Sequence, residues 1–471
     1  MKPILEEIHV ENFKSFKNTT IRLNKFNVIV GPNASGKSNL VDLFRFLKKA
    51  LGEQLDPYAP YLEWWSYKNI VWGGKEELPI KITLKFDVGG YKIIYYLAFA
   101  KEDVIRVLEE RLEIPEYTKI ERKGNLITII NNPKIIQKIK EKFFKQVSSM
   151  IKGVMPRSMK NERNIHNILD SLETPQKLIT KRTIEKPLLL SFHLSYIFSI
   201  SEELVPEILL PIMVRGVLGE NLEILLFKLL TRAKKPKMIG VVLPSAVSKM
   251  IKDQSLPWLD ILDVRRWCRS IISLKPISID VVKTPRYMYE ASSGRLSDNA
   301  ENFILMLNDL YRKNGGILPE RLTLALREFF PGIQIGFDQT RDGKIFLKVY
   351  QYGYELDPPC IPDGLYKILI ILTAIELKPP LLIIDEVENS LHAKTLQYVI
   401  DELKNSESTV IITTHSPVVV DMVDPQDLLM VEMTPEGSVF RRIGEPEEAK
   451  RRLRELGITH SEAWLNGQLE I

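Results

Sequence analysis

Residues 31–38 read GPNASGKS, and the residues on either side decide what that stretch is. It fits the pattern G-x-x-x-x-G-K-[ST], in which a glycine-rich turn presents backbone N–H groups to phosphate oxygens. Before it, residues 26–30 (FNVIV) form a short apolar, β-branched run with the length of a buried strand. After it, residues 39–51 (NLVDLFRFLKKAL) carry apolar side chains at helical spacing. A strand, a tight turn and a helix N-terminus then meet at one point, a place suited to an anion. Gly31 and Gly36 supply backbone freedom, Lys37 is expected to reach the β- and γ-phosphates, and Ser38 to ligate magnesium. A chance glycine turn is the alternative, and it gives no reason for the strand before and the helix after.

Two more apolar runs end in residues with chemistry. Residues 381–384 (LLII) read as a central parallel strand, followed at once by Asp385 and Glu386. Carboxylates at the carboxyl end of such a strand face the ligand crevice of an α/β sheet. Asp385 is expected to hold magnesium and Glu386 to polarise an attacking water as general base. A surface acidic pair is the alternative. Residues 409–413 (TVIIT) repeat the pattern and deliver Thr414, His415, Ser416 and Pro417 to the same edge. The His415 imidazole is placed to hydrogen-bond a γ-phosphate oxygen or the attacking water; a capped surface histidine is the other reading.

The chain has 471 residues, enough for two or three domains, with 45% hydrophobic and 27% charged residues. Its formal net charge of +5 is weak support for an anionic partner. Cys268 and Cys360 stand far apart and form no zinc or disulfide pattern, which fits a reducing cytoplasm. The N-terminus lacks the apolar core of a signal peptide. The most apolar region, residues 187–219, is interrupted by charges and prolines and makes no clean membrane span, so no membrane partner is expected.

In chain order, residues 4–10 and 20–23 read as an N-terminal hairpin. Residues 80–86, 91–100, 104–114 and 126–130 alternate as antiparallel strands. Between them, residues 51–74 form a loop rich in Trp and Tyr; packing of that loop is favoured over stacking on a base. Residues 133–290 change character, with helical patterns and lysine clusters such as Lys140, Lys142 and Lys145. Those clusters suit either nucleic-acid phosphates or a solvated helix face. A helix is expected over residues 296–313, capped by Ser297 or Asp298, and another over 319–330. Two strands come within 333–354, then an apolar helix over 368–377. Near the C-terminus a hairpin crosses residues 434–438, a helix spans 446–456, and Trp464 and Leu465 dock either on their own lobe, which is favoured, or on a partner.

These pieces resemble the ABC-type ATPase group that includes RecF, the SMC proteins and the OLD-like AAA-family ATPases. The matching segments are ENFKSF (residues 11–16), GPNASGKSNL (31–40), PDG (362–364), DEVENSLH (385–392) and THSP (414–417), in the group's order. The resemblance implies an α/β fold: a P-loop NTPase head of ABC type, with a mixed central sheet, an antiparallel β subdomain and an inserted helical domain. The division expected is an N-terminal lobe over 1–132, a helical insertion over 133–290 and a C-terminal lobe over 291–471. It further implies a homodimer with ATP and Mg2+ sandwiched between two copies. Pro32, Asn33, Ala34, Ser35 and Asn39 would line the nucleotide with the other loop residues. Lys14 and Ser15 would touch it from the N-terminal strand, and Asp363 and Gly364 would meet the opposing copy's phosphate. Leu391 and His392 fall in the segment that couples the two copies. Pro362 replaces the group's usual signature serine, so hydrolysis is expected to be slow or partner-dependent, and a non-hydrolysing switch or scaffold is the alternative function. The expected work is linked to DNA, in repair or in defence against phage and plasmids. His415 takes the group's switch-histidine role, and no DxD nuclease pattern comes after it, so any nuclease is expected as a separate subunit. A transporter subunit is disfavoured, since neither LSGGQ nor a clear Q-loop is present.

Overall fold

The computed structural model describes residues 3–52, 60–101, 105–115, 118–123, 126–131, 179–183, 264–276, 278–288 and 295–467. The chain divides into two compact units, a smaller one of residues 1–3 and 82–265 and a larger one of 4–81 and 266–471.

The larger unit opens with a hairpin, β1 (Ile4–Phe13) and β2 (Phe16–Arg22). β3 (Phe26–Val30) is buried along its whole length and runs into the glycine turn, from which α1 (Lys37–Leu47) departs. The smaller unit is antiparallel. Its strands β4 (Ile80–Val88), β5 (Tyr91–Lys101), β6 (Ile105–Ile114), β7 (Thr118–Lys123), β8 (Leu126–Asn131) and β9 (Ile179–Thr183) lie side by side in chain order. β4 alternates buried and less buried residues, the period-two pattern of a sheet with one packed face. β7, TKIERK, escaped the sequence reading because Ile120 is its only apolar residue; pairing with β6 and β8 on either side holds it. β9 is a strand inside the stretch read as helical. Otherwise that reading, with Lys140, Lys142 and Lys145, falls outside the described residues up to position 263.

The chain then re-enters the larger unit. β10 (Ile272–Leu274) is followed, after a short helix over Ile279–Lys283, by α2 (Phe303–Lys313) and α3 (Glu320–Phe329). A three-stranded antiparallel sheet comes next, β11 (Ile333–Gln339), β12 (Ile345–Gln351) and β13 (Tyr354–Leu356). After α4 (Asp363–Glu376) come β14 (Leu381–Ile384), α5 (Ala393–Lys404), β15 (Thr409–Thr413) and α6 (Pro417–Met422). The chain closes with β16 (Leu428–Thr434), β17 (Gly437–Arg442), α7 (Pro446–Leu456) and α8 (His460–Leu465).

Six strands form the central sheet in the order β10-β14-β15-β3-β16-β17. All neighbours run parallel except β17, which returns antiparallel to β16. β14, β15 and β3 are buried along their whole length because a parallel strand in this position is covered on both faces. Val28, Val30, Leu382, Ile384, Val410 and Ile412 share one core with the apolar sides of α2, α4 and α5. Each such side chain contributes about 1.5–3 kcal/mol when fully buried.

Two helix starts differ from the sequence reading. α2 begins at Phe303 rather than near 296, with Asn302 and not Ser297 or Asp298 at its N-cap. Ala300 takes a left-handed φ of 54°, and the Asn302 carboxamide accepts the Ser297 N–H at 2.9 Å, closing a turn before the helix begins. Asp298 instead binds the Lys48 ammonium at 2.7 Å. α4 begins earlier than expected, at Asp363, with Pro362 as an extended N-cap (φ −60°, ψ 139°). At the C-terminus, Trp464 packs on the unit's own core while Leu465 stays exposed.

Ile411, in the middle of β15 and fully buried, tests the sheet. Ile411→Ala is expected to lower unfolding free energy by about 2–5 kcal/mol in chemical denaturation. A loss below about 0.5 kcal/mol would contradict its central position.

Candidate nucleotide site

Three strand ends meet along one edge of the sheet. β15 pairs with β14 on one side, Ile412 beside Ile384, and with β3 on the other, Thr413 beside Ile29. Residues immediately after β14, β15 and β3 therefore emerge at the same level. They are Asp385 and Glu386, Thr414 and His415, and Gly31. Two backbone bonds carry the register past the strands: Thr414 N–H to Ile29 O at 3.2 Å, and Val387 N–H to Thr413 O at 3.3 Å.

The glycine turn is folded against its surroundings. A Cβ on Gly31 would lie 2.2 Å from the Val431 carbonyl oxygen, so only glycine passes under β16 there. Lys37 starts α1 and is 5% exposed; its ammonium donates to the carbonyls of Gly31 at 2.7 Å and Pro32 at 2.8 Å. Burial holds this ammonium below the usual lysine range, and the charges of Asp385, Glu386 and Glu388 oppose that shift. Pro32, Asn33, Ala34 and Ser38 are exposed, whereas Ser35 is 1% exposed and its hydroxyl has no hydrogen-bond partner.

The carboxylates are placed by β15. The Thr413 hydroxyl donates to Asp385 Oδ1 and accepts the Glu386 N–H at 3.0 Å. Asp385 is 7% exposed, and burial raises its carboxyl above the ordinary range despite the threonine bond. Glu386 sits at a left-handed φ of 51° and accepts a hydrogen bond from the Asn389 amide at 2.7 Å. Glu388 Oε1 accepts the His415 N–H at 2.9 Å, which fixes the histidine's backbone while its ring stays exposed. Lys367, on α4 and 2% exposed, is pushed down to about 8 by burial, against the pull of Glu388, Glu386 and Asp385.

Other sequence candidates are engaged elsewhere. Lys14 binds Asp42 on α1 and lies 5.3 Å from the centre of the Trp64 ring. Burial would raise the Asp42 carboxyl, but that bond and the nearby Lys14, Lys275 and Arg45 charges hold it below its usual range. Asn39 donates to Ser15 Oγ at 2.7 Å. Lys14, Ser15 and Asn39 thus brace α1 and its loop from beside. Asp363 pairs with Lys283 at 2.9 Å. Gly364 joins Ser390, Leu391 and His392 around a cavity of about 450 Å³ whose lining includes none of residues 31–39. A Cβ on Gly364 would stand 3.2 Å from the Ser390 carbonyl oxygen.

Sequence reasoning assigned no role to Thr413, Glu388, Asn389, Lys367 or Ser438. Glu388 and Asn389 lay inside the quoted motif DEVENSLH, and a carboxylate three residues past a strand end was a usable signal. Ser438 gave none, since nothing local marks a serine in a hairpin as a neighbour of residues 15 and 35.

Comparison with known proteins finds likeness at the level of family models and short segments. Residues 1–205 match a family model described as "AAA ATPase domain", and residues 280–421 one described as "AAA domain, putative AbiEii toxin, Type IV TA system". The chain is 37% identical over 84 residues to chromosome partition protein Smc of Methanococcus voltae, 18% of this chain and 7% of that protein. It is 32% identical over 95 residues to the DNA double-strand break repair Rad50 ATPase of Methanocaldococcus jannaschii, 20% of this chain and 8% of that protein. It is 38% identical over 68 residues to an ATP/GTP phosphatase of Helicobacter pylori, 14% of this chain and 17% of that protein. The matched segments span under a fifth of these relatives. An Smc head domain from Pyrococcus furiosus, solved with the C-terminal domain of ScpA, aligns over 97% of this chain and all of that one, at 15% identity and a TM-score of 0.40. The resemblance to SMC- and RecF-like ABC-type ATPases stands. Among the described residues no helix is long and apolar enough to cross a membrane.

The raised carboxyl of Asp385 sets a pH test. A group whose carboxyl is raised on folding favours the folded state fully at low pH, and that contribution is lost as pH rises through its folded value. At neutral pH the buried charge therefore costs stability. Asp385→Asn keeps an acceptor for Thr413 and is expected to raise the melting temperature at pH 7 in EDTA, with the gain vanishing near pH 3. An unchanged or lower melting temperature at pH 7 would show that the carboxylate carries no such cost.

Proposed function

We propose that this chain, an ATPase of the SMC- and RecF-like ABC type, binds Mg-ATP at the edge formed by Gly31–Ser38, Asp385, Glu386 and His415 and hydrolyses it. The observation that carries the reading is the convergence of the three strand ends with Lys37 and Asp385 buried among them. The residues present fit both groups. Ser35 offers a buried hydroxyl lacking an acceptor, as a phosphate cradle requires. Asp385 offers a buried carboxylate whose ionised form a cation would favour. Ser38 and Asp385 would hold magnesium, which when bound neutralises charge on the phosphates.

The protein's own groups divide the remaining work. Backbone N–H groups of the turn and the α1 N-terminus receive phosphate oxygens. Lys37 exchanges its two carbonyl partners for phosphate. Glu386, oriented by Asn389, accepts the proton of the attacking water. His415, on a backbone fixed by Glu388, hydrogen-bonds the terminal phosphate. The cavity around Gly364 and His392 supports a second half-site: residues 363, 364 and 390–392 would meet nucleotide held by another copy, making the working unit a dimer. The names of the relatives, a chromosome partition protein and a DNA double-strand break repair ATPase, support DNA-linked work. A separate nuclease is one candidate partner.

A second reading, an ATP-dependent switch that does not hydrolyse, is favoured by Pro362, which puts neither a hydroxyl nor an N–H at the head of α4. One experiment separates the two. Steady-state ATPase and nucleotide binding are compared for wild type, Lys37→Ala and Glu386→Gln. Hydrolysis is expected in the wild type, lost with nucleotide binding in Lys37→Ala, and reduced about 100-fold or more with binding retained in Glu386→Gln. Binding without turnover in both wild type and Glu386→Gln would select the switch. Unchanged activity in Lys37→Ala would reject the site.

A further inference from the structure

The tip of the β16–β17 hairpin reaches the phosphate loop through one serine. Ser438 is 1% exposed. Its N–H donates to Ser15 O at 2.8 Å, and its carbonyl accepts the Thr19 hydroxyl at 2.9 Å. Its own hydroxyl lies 2.7 Å from Ser15 Oγ and 2.7 Å from Ser35 O. Lys17 and Glu436 pair across the same junction. A Cβ on Gly437 would stand 2.5 Å from Ser15 O, so the hairpin tip presses on the β1–β2 turn.

Proton counting fixes the direction of these bonds. The Ser35 carbonyl can only accept, so the single Ser438 proton goes to it. Ser15 then donates to Ser438 Oγ and accepts from the Asn39 amide. The result is one directed chain: Asn39 to Ser15 to Ser438 to the Ser35 carbonyl. In a planar trans peptide the C=O and the following N–H point in opposite directions. Holding Ser35 O toward the hairpin therefore turns the Gly36 N–H away from the hairpin. The lock is tight, because a Cβ on Gly36 would lie 2.2 Å from Ser438 Oγ.

We infer that Ser438 is a positioning residue for the phosphate loop, setting the direction of the Gly36 N–H from a hairpin 403 positions away in the chain. This rests on the nucleotide reading of the loop. A donor aimed at a phosphate that does not react serves ground state and transition state alike, so its loss acts on affinity and not on the chemical step.

The test titrates the full chain with a fluorescent methylanthraniloyl-ATP analogue and Mg2+, and measures kcat and KM with ATP. The variants are Ser438→Ala, Ser15→Ala and the double substitution, with melting temperature as the check on folding. Ser438→Ala is expected to weaken binding about 5- to 20-fold and raise KM to match, with kcat changed less than about two-fold. Ser15→Ala breaks the same chain from its other side and stands in if Ser438→Ala does not fold. The double variant is expected to bind no worse than the weaker single variant, since a broken chain is not broken twice. Binding within two-fold of wild type in folded Ser438→Ala and Ser15→Ala, or fully additive losses, would overturn the inference alone. A wild type that binds no nucleotide would overturn the reading of the loop as well.

Discussion

A single hydroxyl ties the acidic edge of the sheet to its neighbour. Thr413 gives its proton to Asp385 and takes the N–H of Glu386, whose backbone is left-handed. A non-glycine residue in that region costs on the order of 1–3 kcal/mol and persists only where its surroundings hold it. Here the hold comes from Thr413 twice, through its hydroxyl and through its carbonyl, which accepts the Val387 N–H. β15 is also bonded to β3 on its far side. The turn bearing the carboxylates and the turn bearing Gly31 are thereby parts of one stiff object. Catalytic geometry needs that stiffness, since small misplacements of reacting groups cost large factors in rate.

The charges at this edge are incomplete as they stand. Lys37 and Lys367 are cations that burial disfavours, and Asp385 is an anion that burial disfavours. Packing against apolar helices puts them there, and mutual attraction offsets only part of the desolvation. A triphosphate with its cation brings countercharge of both signs. On the proposed reading, bound Mg-ATP would offset these burial costs, an arrangement common where pKa values are tuned for function. Lys14 shows the opposite case: with Asp42 and Trp64 already in contact, it is a satisfied structural cation.

Much of this was legible in residue order. Runs such as LLII and TVIIT have the length and composition of central strands, and the residues directly after such a strand are forced to its carboxyl edge. The glycine loop, Asp385, Glu386 and His415 could therefore be placed together from the sequence. Lys14 was legible as a position but not in its engagement, because Asp42 and Trp64 reach it only through the fold. The start of α2 was misplaced because Ser297 and Asp298 resemble caps, while the Asn302 side chain and the Ala300 backbone close a separate turn. Ser438 was invisible for a simpler reason. Its partners lie in β1–β2 and in the phosphate loop, and only the sheet order β3-β16-β17 brings that hairpin beside them.

The most direct measurement is a structure of this chain with Mg2+ and a non-hydrolysable ATP analogue. The β-phosphate is expected within hydrogen-bonding distance of the Gly36 and Lys37 N–H groups, and the metal between Ser38 and Asp385. Glu386 and His415 are expected to face the terminal phosphate. Nucleotide bound elsewhere, or held at the loop with Asp385 and His415 turned from it, would contradict the central claim.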